Sequence, residues 1–338
     1  MIHCAGRTRS IIGAQSLINL GLPNPVYALE NGTQGWYLAD LALEHESRRA
    51  YPEVTPDEAG LEVNRARAEA LAEKYALRVA GAADLAAWAA EADRTTAFID
   101  IRTPEEVRAR PLAGTIAAPG GQLLQGTDQY IGTRGARLVI LDHEGLRAPV
   151  VASWLALMGQ DVWLLPVADY PAPASGDPVA EGPALARISA ADYAAEAAKY
   201  RLIDLRQSSS FRAGHIAGAE WSVRPRLAAA LAGETRPVVF VADDARLLAL
   251  ALTELPSDLL ARALWLDGGA AEWRDAGLGL VTMQDFEGRD SHIDYLFFVH
   301  DRHDGNKEAA RQYLAWETGL IAQLDDAERA LFRLPVSN

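Results

Sequence analysis

Apolar residues recur along the chain in two textures. Short continuous runs read as strands buried on both faces, and longer stretches with apolar positions three and four apart read as helices. Residues 11–20 have helical spacing and are stopped by Gly21 and Pro23, after which residues 26–29 read as a short strand before Asn31-Gly32. From about Ala82 the order is helix (85–92), strand (97–101), loop, strand (137–141), helix (149–158) and strand (161–165). It returns as helix 190–199, strands 201–205 and 237–241, helix 247–255 and strand 263–266. Alternation of this kind predicts an α/β fold of parallel sheets covered by helices on both faces.

The same pattern marks the connections. Thr55-Pro56-Asp57-Glu58 places Thr at a cap, Pro at the first helical position and Glu three residues after the cap, predicting a charged helix to about Tyr75. Residues 170–183, rich in Pro, Ala and Gly, read as a linker between domains. From about Asp304 to Arg333 an amphipathic helix carries Tyr313, Leu314, Trp316, Leu320 and Leu324 as its apolar stripe, as for packing on a neighbouring domain.

Two segments repeat. Phe98-Ile99-Asp100-Ile101-Arg102 matches Leu202-Ile203-Asp204-Leu205-Arg206, and each precedes a glycine-containing turn. Leu29-Glu30-Asn31-Gly32 through Trp36 matches Leu266-Asp267-Gly268-Gly269 through Trp273. Repeats about a hundred residues apart mean tandem domains. The expected division is a first unit at 1–45, a helical linker at 46–80, a second unit at 81–170, a linker at 171–186, a third unit at 187–283 and a helical extension at 284–338.

Composition narrows the function. The 338 residues carry 32 Lys and Arg against 46 Asp and Glu, a net charge of -14, which disfavours a surface tracking nucleic-acid phosphates. No run approaches the length of a membrane span, and residues 1–9 contain no apolar core of a signal peptide. The single cysteine excludes an internal disulfide and a cysteine zinc cluster, and a cytoplasmic location is expected.

That cysteine stands in Cys4-Ala5-Gly6-Arg7-Thr8-Arg9-Ser10, directly before the first predicted helix. A helix N-terminus and two nearby arginines favour an anion, here the thiolate, which is the nucleophilic form. His3-Cys4 begins like the signature of cysteine phosphatases. However, only four residues separate Cys4 from Arg9, where that signature has five, and Ser10 stands where it wants arginine. A shorter loop suits a single sulfur atom better than a phosphate.

Asp204-x-Arg206, Phe211-x-x-Gly214-His215-Ile216-x-Gly218-Ala219 and Gly268-Gly269-x-x-x-Trp273, in this order, resemble the rhodanese family of sulfurtransferases, and the resemblance extends to about residue 283. It implies tandem rhodanese-like domains and transfer of sulfane sulfur through a persulfide on Cys4. Ala5, Gly6, Arg7, Thr8, Arg9 and Ser10 would form the substrate cradle. The donor would be a small anion such as thiosulfate and the acceptor cyanide or a thiol, a protein acceptor included, with no cofactor and no metal. His215, Asp100 and Asp204 are expected to be structural. At the position of Cys4 the second unit has Asp142 and the third Val241 or Ala242, so both are expected to be catalytically silent. The resemblance also implies strands ahead of the active loop, so the first unit is expected to be the later part of a domain that starts upstream of Met1. The other reading is a non-catalytic scaffold of the same family that binds anions or proteins. His300, His303 and nearby His292 are a weaker pattern, read as solvated or capping residues, not metal ligands.

Overall fold

The computed structural model describes residues 1–49, 57–172, 185–283, 292–294, 302 and 305–333. The chain forms two compact units, one of Met1–Gly176 with Phe298–Asn338 and one of Asp177–Phe297.

The first unit begins with helices α1 (Thr8–Asn19), α2 (Gly32–Leu38) and α3 (Glu58–Lys74). It continues with β1 (Arg78–Val79), α4 (Ala82–Ala90), β2 (Thr96–Asp100), α5 (Pro104–Ala109) and β3 (Ile116–Ala117). Then come α6 (Gly120–Gln125), α7 (Thr127–Tyr130), β4 (Arg137–Asp142), α8 (Arg147–Leu157) and β5 (Asp161–Pro166). The sheet has the order β1-β5-β4-β2-β3, with every pair parallel. Strand β4 reads Arg-Leu-Val-Ile-Leu-Asp because it is covered on both sides. Leu138 and Ile140 face α6 and α8 through Leu123, Ala152 and Leu155, while Val139 and Leu141 meet Trp88 and Leu165 on the other face. Successive strand side chains point to opposite faces, so each half of the run has its own core.

The second unit repeats this plan. It contains β6 (Ala186–Ile188), α9 (Ala190–Glu196), β7 (Arg201–Asp204), α10 (Ser208–Ala213), β8 (His215–Ile216), β9 (Glu220–Trp221) and α11 (Arg224–Ala230). It closes with β10 (Val238–Val241), α12 (Ala245–Leu252), α13 (Ser257–Leu260), β11 (Ala263–Leu266), α14 (Ala270–Asp275) and β12 (Leu280–Val281). The parallel order is β6-β11-β10-β7-β9, and β12 pairs antiparallel with β8.

The repeated Asp-x-Arg segment ends β2 and β7. Arg102 forks onto the fully buried Asp100 at 2.7–3.2 Å and donates to the Arg110 carbonyl at 2.7 Å. Arg206 does the same with Asp204 and the Gly214 carbonyl. Each pair ties a strand end to the turn eight residues on, a structural role. His215 is likewise buried, stacked on Phe211 with Nδ1 2.8 Å from its carbonyl.

Several expectations change in detail. Thr55 and Pro56 lie outside the described residues, and α3 is capped by Asp57, whose carboxylate accepts the Gly60 N–H at 2.7 Å. An aspartate two residues nearer the helix satisfies the free N–H group directly. Most of the expected linker at 171–186 lies outside the described residues, as do His300, His303 and their neighbours Asp301 and Asp304. The C-terminal helix spans Lys307–Gln323, starting at the Asn306 cap, and a short turn of helix follows at Asp326–Arg329. Its buried side is Ala309, Ala310 and Tyr313, while Leu320 stays exposed.

The first 45 residues supply little core of their own. Ala14 is the one apolar side chain buried there. Instead α1 leans on the larger sheet domain, with Ile12 packed against its core and Trp154 donating to the Ser16 hydroxyl at 2.8 Å. Trp36 is 41% exposed, whereas Trp273, its sequence counterpart, is 2% exposed among Ile188, Tyr193 and Leu202. Those partners come from elements preceding β10. No helix among the described residues is long and apolar enough to cross a membrane.

Candidate active site

Ile2 pairs in parallel with Ala28, donating to the Tyr27 carbonyl and accepting from the Leu29 N–H. Cys4 therefore follows a strand end, and α1 begins four residues later. The pairing registers give the equivalent positions elsewhere. Ile2 opposite Ala28 corresponds to Ile140 opposite Leu164 and to Phe240 opposite Trp265. Two residues on stand Cys4, Asp142 and Ala242, which decides between Val241 and Ala242 in favour of the latter.

The loop is oriented by α2. The N–H groups of Thr33 and Gln34 donate to the carbonyls of Cys4 and Ala5, each at 2.9 Å. Gly32 lies so close that a Cβ there would stand 2.1 Å from the Gly6 carbonyl oxygen and 2.2 Å from that of Cys4. Its φ of 59° also suits only glycine without strain. Three successive carbonyls thus face α2. In a trans peptide the N–H points opposite to the carbonyl, so the N–H groups of Ala5, Gly6 and Arg7 turn to the other side. Among the described residues they have no backbone acceptor. Backbone N–H groups without an acceptor beside a helix N-terminus favour negative charge.

Cys4 is half-buried, and its Sγ lies 3.6 Å from the Ser10 hydroxyl, which donates to the Arg7 carbonyl at 2.8 Å. Ser10 and Gly6 are buried, and Ala5, Arg7, Thr8 and Arg9 are partly exposed. The structure therefore brings Cys4, Ser10 and the loop backbone together. It shows no contact of either arginine guanidinium with Sγ, and the Arg9 Nε is closed off from solvent without a hydrogen-bond partner.

Sequence reasoning missed the residues around this loop. Gln34 holds the Ala310 carbonyl at 2.5 Å, and Tyr313 lies against Gly6, where a Cβ would come within 3.3 Å of its ring. The Arg302 guanidinium stacks over the Tyr313 ring at 3.4 Å, and Glu317 accepts the Thr8 hydroxyl. Only Asn31-Gly32 gave any local signal of a turn. Arg302, Tyr313 and Glu317 are contributed from about 300 residues away, a distance no spacing rule spans. Burial holds the Tyr313 hydroxyl in its protonated form to higher pH than usual, against the pull of Arg302.

The other two loops differ chemically. Asp142 turns its carboxylate inward and accepts from the N–H groups of Glu144 and Gly145 at 3.3 and 2.8 Å, so an internal anion fills the loop. Beside it His143 lies 3.6 Å from Asp100, and burial together with Arg102 lowers its pKa despite that carboxylate. Arg147 is taken up by Glu106 and Glu144. In the second unit Asp244 caps α12 through the Leu247 N–H at 2.6 Å, closing the turn beside Ala242. Neither position offers a thiol. Among the described residues no cluster of His, Cys, Asp or Glu is arranged to hold a metal.

Repeated parallel α/β units with a lone cysteine at a strand-to-helix loop define a class of protein, and the comparisons identify it. The chain is similar over 99% of its length to a thiosulfate sulfurtransferase from Pseudomonas aeruginosa, at 36% identity and a TM-score of 0.75. The chain has the rhodanese-like fold in tandem copies. The chain spans 65% of that protein's length. Two weaker likenesses are the Alr3790 protein of Anabaena sp. (19% identity, 29% of this chain and 94% of that one, TM-score 0.26) and a 3-mercaptopyruvate sulfotransferase of Escherichia coli (18% identity, 57% and 98%, TM-score 0.21). At those scores they add nothing to the assignment. No protein-family model and no curated protein matches the chain.

Proposed function

We propose that the chain is a sulfurtransferase in which Cys4 carries sulfane sulfur as a persulfide. The observation that carries this reading is the turning of the loop carbonyls of Cys4, Ala5 and Gly6 toward α2, which leaves the N–H groups of Ala5, Gly6 and Arg7 without a backbone acceptor and open to an anion. In the first half-reaction the Cys4 thiolate attacks the outer sulfur of a donor such as thiosulfate. A sulfur–sulfur bond forms to Cys4, the donor's own sulfur–sulfur bond breaks, and sulfite leaves with the electron pair. The free N–H groups stabilise the charge on donor and persulfide. In the second half-reaction cyanide or a thiol, small or on a protein, attacks the terminal sulfur, and Cys4 leaves as thiolate. With no second cysteine in the chain, the acceptor is external. A reducing compartment such as the cytoplasm suits a reaction that needs one free thiolate.

Ser10 adapts to both charge states. Its hydroxyl is a rotor that now donates to the Arg7 carbonyl, and it can instead donate to a thiolate or persulfide at Cys4. The Asp142 and Ala242 loops support a scaffold role for the other domains, since one is filled by its own carboxylate and the other lacks a nucleophile.

Thiocyanate formation from thiosulfate and cyanide tests the proposal. The wild-type chain should turn over and Cys4→Ser should fall to the uncatalysed rate. Equal rates for the two would leave the non-catalytic scaffold as the better reading.

A further inference from the structure

Helix α1 has no side-chain cap at Arg7 and no acidic residue in its first turn, although a helix start usually draws a carboxylate or a hydroxyl. The carboxylate comes from the C-terminal helix. One oxygen of Glu317 accepts the hydroxyl of Thr8, the first residue of α1, and the other is shut off from solvent without a hydrogen-bond partner. A carboxylate oxygen out of water and unpaired is costly, and such groups call for an explanation beyond packing.

The surroundings fix the helix that delivers it. Tyr313, one turn earlier, rests on Gly6 and under Arg302, Gln34 bonds to Ala310, and Tyr37 donates to the Gly305 carbonyl at 2.8 Å. Beside Glu317, Thr318 joins Arg7, Ile11, Leu29 and Glu30 around a cleft of about 320 Å³ at the start of α1. Anything entering there meets Arg7, Glu30 and the positive end of α1, with Glu317 behind Thr318 and outside the lining, acting through its charge.

We propose that Glu317 is a specificity-determining residue of the sulfur site. It is a fixed negative charge brought to the α1 N-terminus that offsets part of the loop's attraction for anions, so the site's preference for a dianion such as thiosulfate over sulfur donors of lower charge is narrower than the loop alone would give. This rests on the reading of Cys4 as the sulfur carrier, but its test does not require sulfur transfer.

Cys4 is the only thiol, so its alkylation can be followed in the full chain with neutral iodoacetamide and anionic iodoacetate of similar size. Glu317→Gln should raise the iodoacetate-to-iodoacetamide rate ratio about threefold at low salt, the effect of removing one nearby charge at high effective dielectric. The gain should shrink in concentrated salt. Glu317→Asp, which keeps the charge, should stay near the wild-type ratio. So should Glu308→Gln, an exposed site in the first turn of the same helix. An unchanged ratio in Glu317→Gln overturns the proposal. An equal rise in both rates also overturns it, since loss of the helix as a cover would do that. So would a Glu317→Asp ratio that follows Gln, or a Cys4 that neither reagent reaches. A chain that forms no thiocyanate but passes this test refutes the sulfurtransferase reading and leaves the charge role of Glu317 intact.

Discussion

The sulfur of Cys4 lies 3.6 Å from the hydroxyl of Ser10, at the third position of the helix that follows the loop. That hydroxyl is buried and already bonded to the Arg7 carbonyl, so its place is set by the loop itself. Ser10→Ala should keep the fold and lower kcat/KM for thiosulfate by about tenfold, the loss expected for one hydrogen bond to a charged group. Steady-state kinetics beside an unchanged unfolding midpoint would show it.

Gly32 is the residue on which the loop's orientation turns. An alanine there would need a positive φ of 59° and would drive its Cβ into the carbonyls of Cys4 and Gly6. Gly32→Ala should cost more than about 1–2 kcal/mol, the backbone term alone. It should also slow alkylation of Cys4, because the carbonyls can no longer face α2. Gly21→Ala, another glycine at positive φ but with open space around it, should cost only the backbone strain and leave Cys4 reactivity unchanged.

The Asp100–Arg102 pair is a stability element. Arg102→Ala leaves a fully buried carboxylate without its fork, and about 3–5 kcal/mol should be lost in urea unfolding of the first unit. Burial alone would raise the Asp100 pKa, yet the Arg102 hydrogen bonds hold it below the usual value. Asp100→Asn, which keeps the shape but not the charge, should still destabilise because Arg102 is then the unpaired ion.

Acid should loosen the second loop in two stages. The His143 pKa is lowered in the folded chain, by burial first and Arg102 second, so the unfolded chain binds the proton more readily. The stability from keeping it neutral is complete above the ordinary value near pH 6.5 and falls as pH drops below it. Glu106 is lowered to about 2, chiefly by its hydrogen bonds from Arg147, so its contribution is present above pH 4.5 and lost as pH falls toward about 2. His143→Asn should flatten the stability curve below pH 6.5, and Glu106→Gln should flatten it only below pH 4.5. Urea midpoints measured between pH 3 and pH 8 separate the two.

Much of the fold could be read in advance because it depends on local pattern. The runs at 138–141 and 238–241 are apolar throughout, and they lie in the central strands with both faces covered. The paired Asp-x-Arg segments announced the repeat. What could not be read was the long-range support of the loop. Thr33 and Gln34 act through backbone N–H groups, which any residue carries. Tyr313 and Glu317 read as part of an ordinary amphipathic helix until the chain returns to place them at Gly6 and Thr8.

Mass spectrometry of the intact protein after incubation with thiosulfate bears most directly on the assignment of Cys4 as the sulfur carrier. The account predicts a mass increase of one sulfur atom, located on the peptide containing Cys4, removed by cyanide and absent from Cys4→Ser. An unmodified Cys4 under conditions in which the thiol is open to iodoacetamide would contradict it.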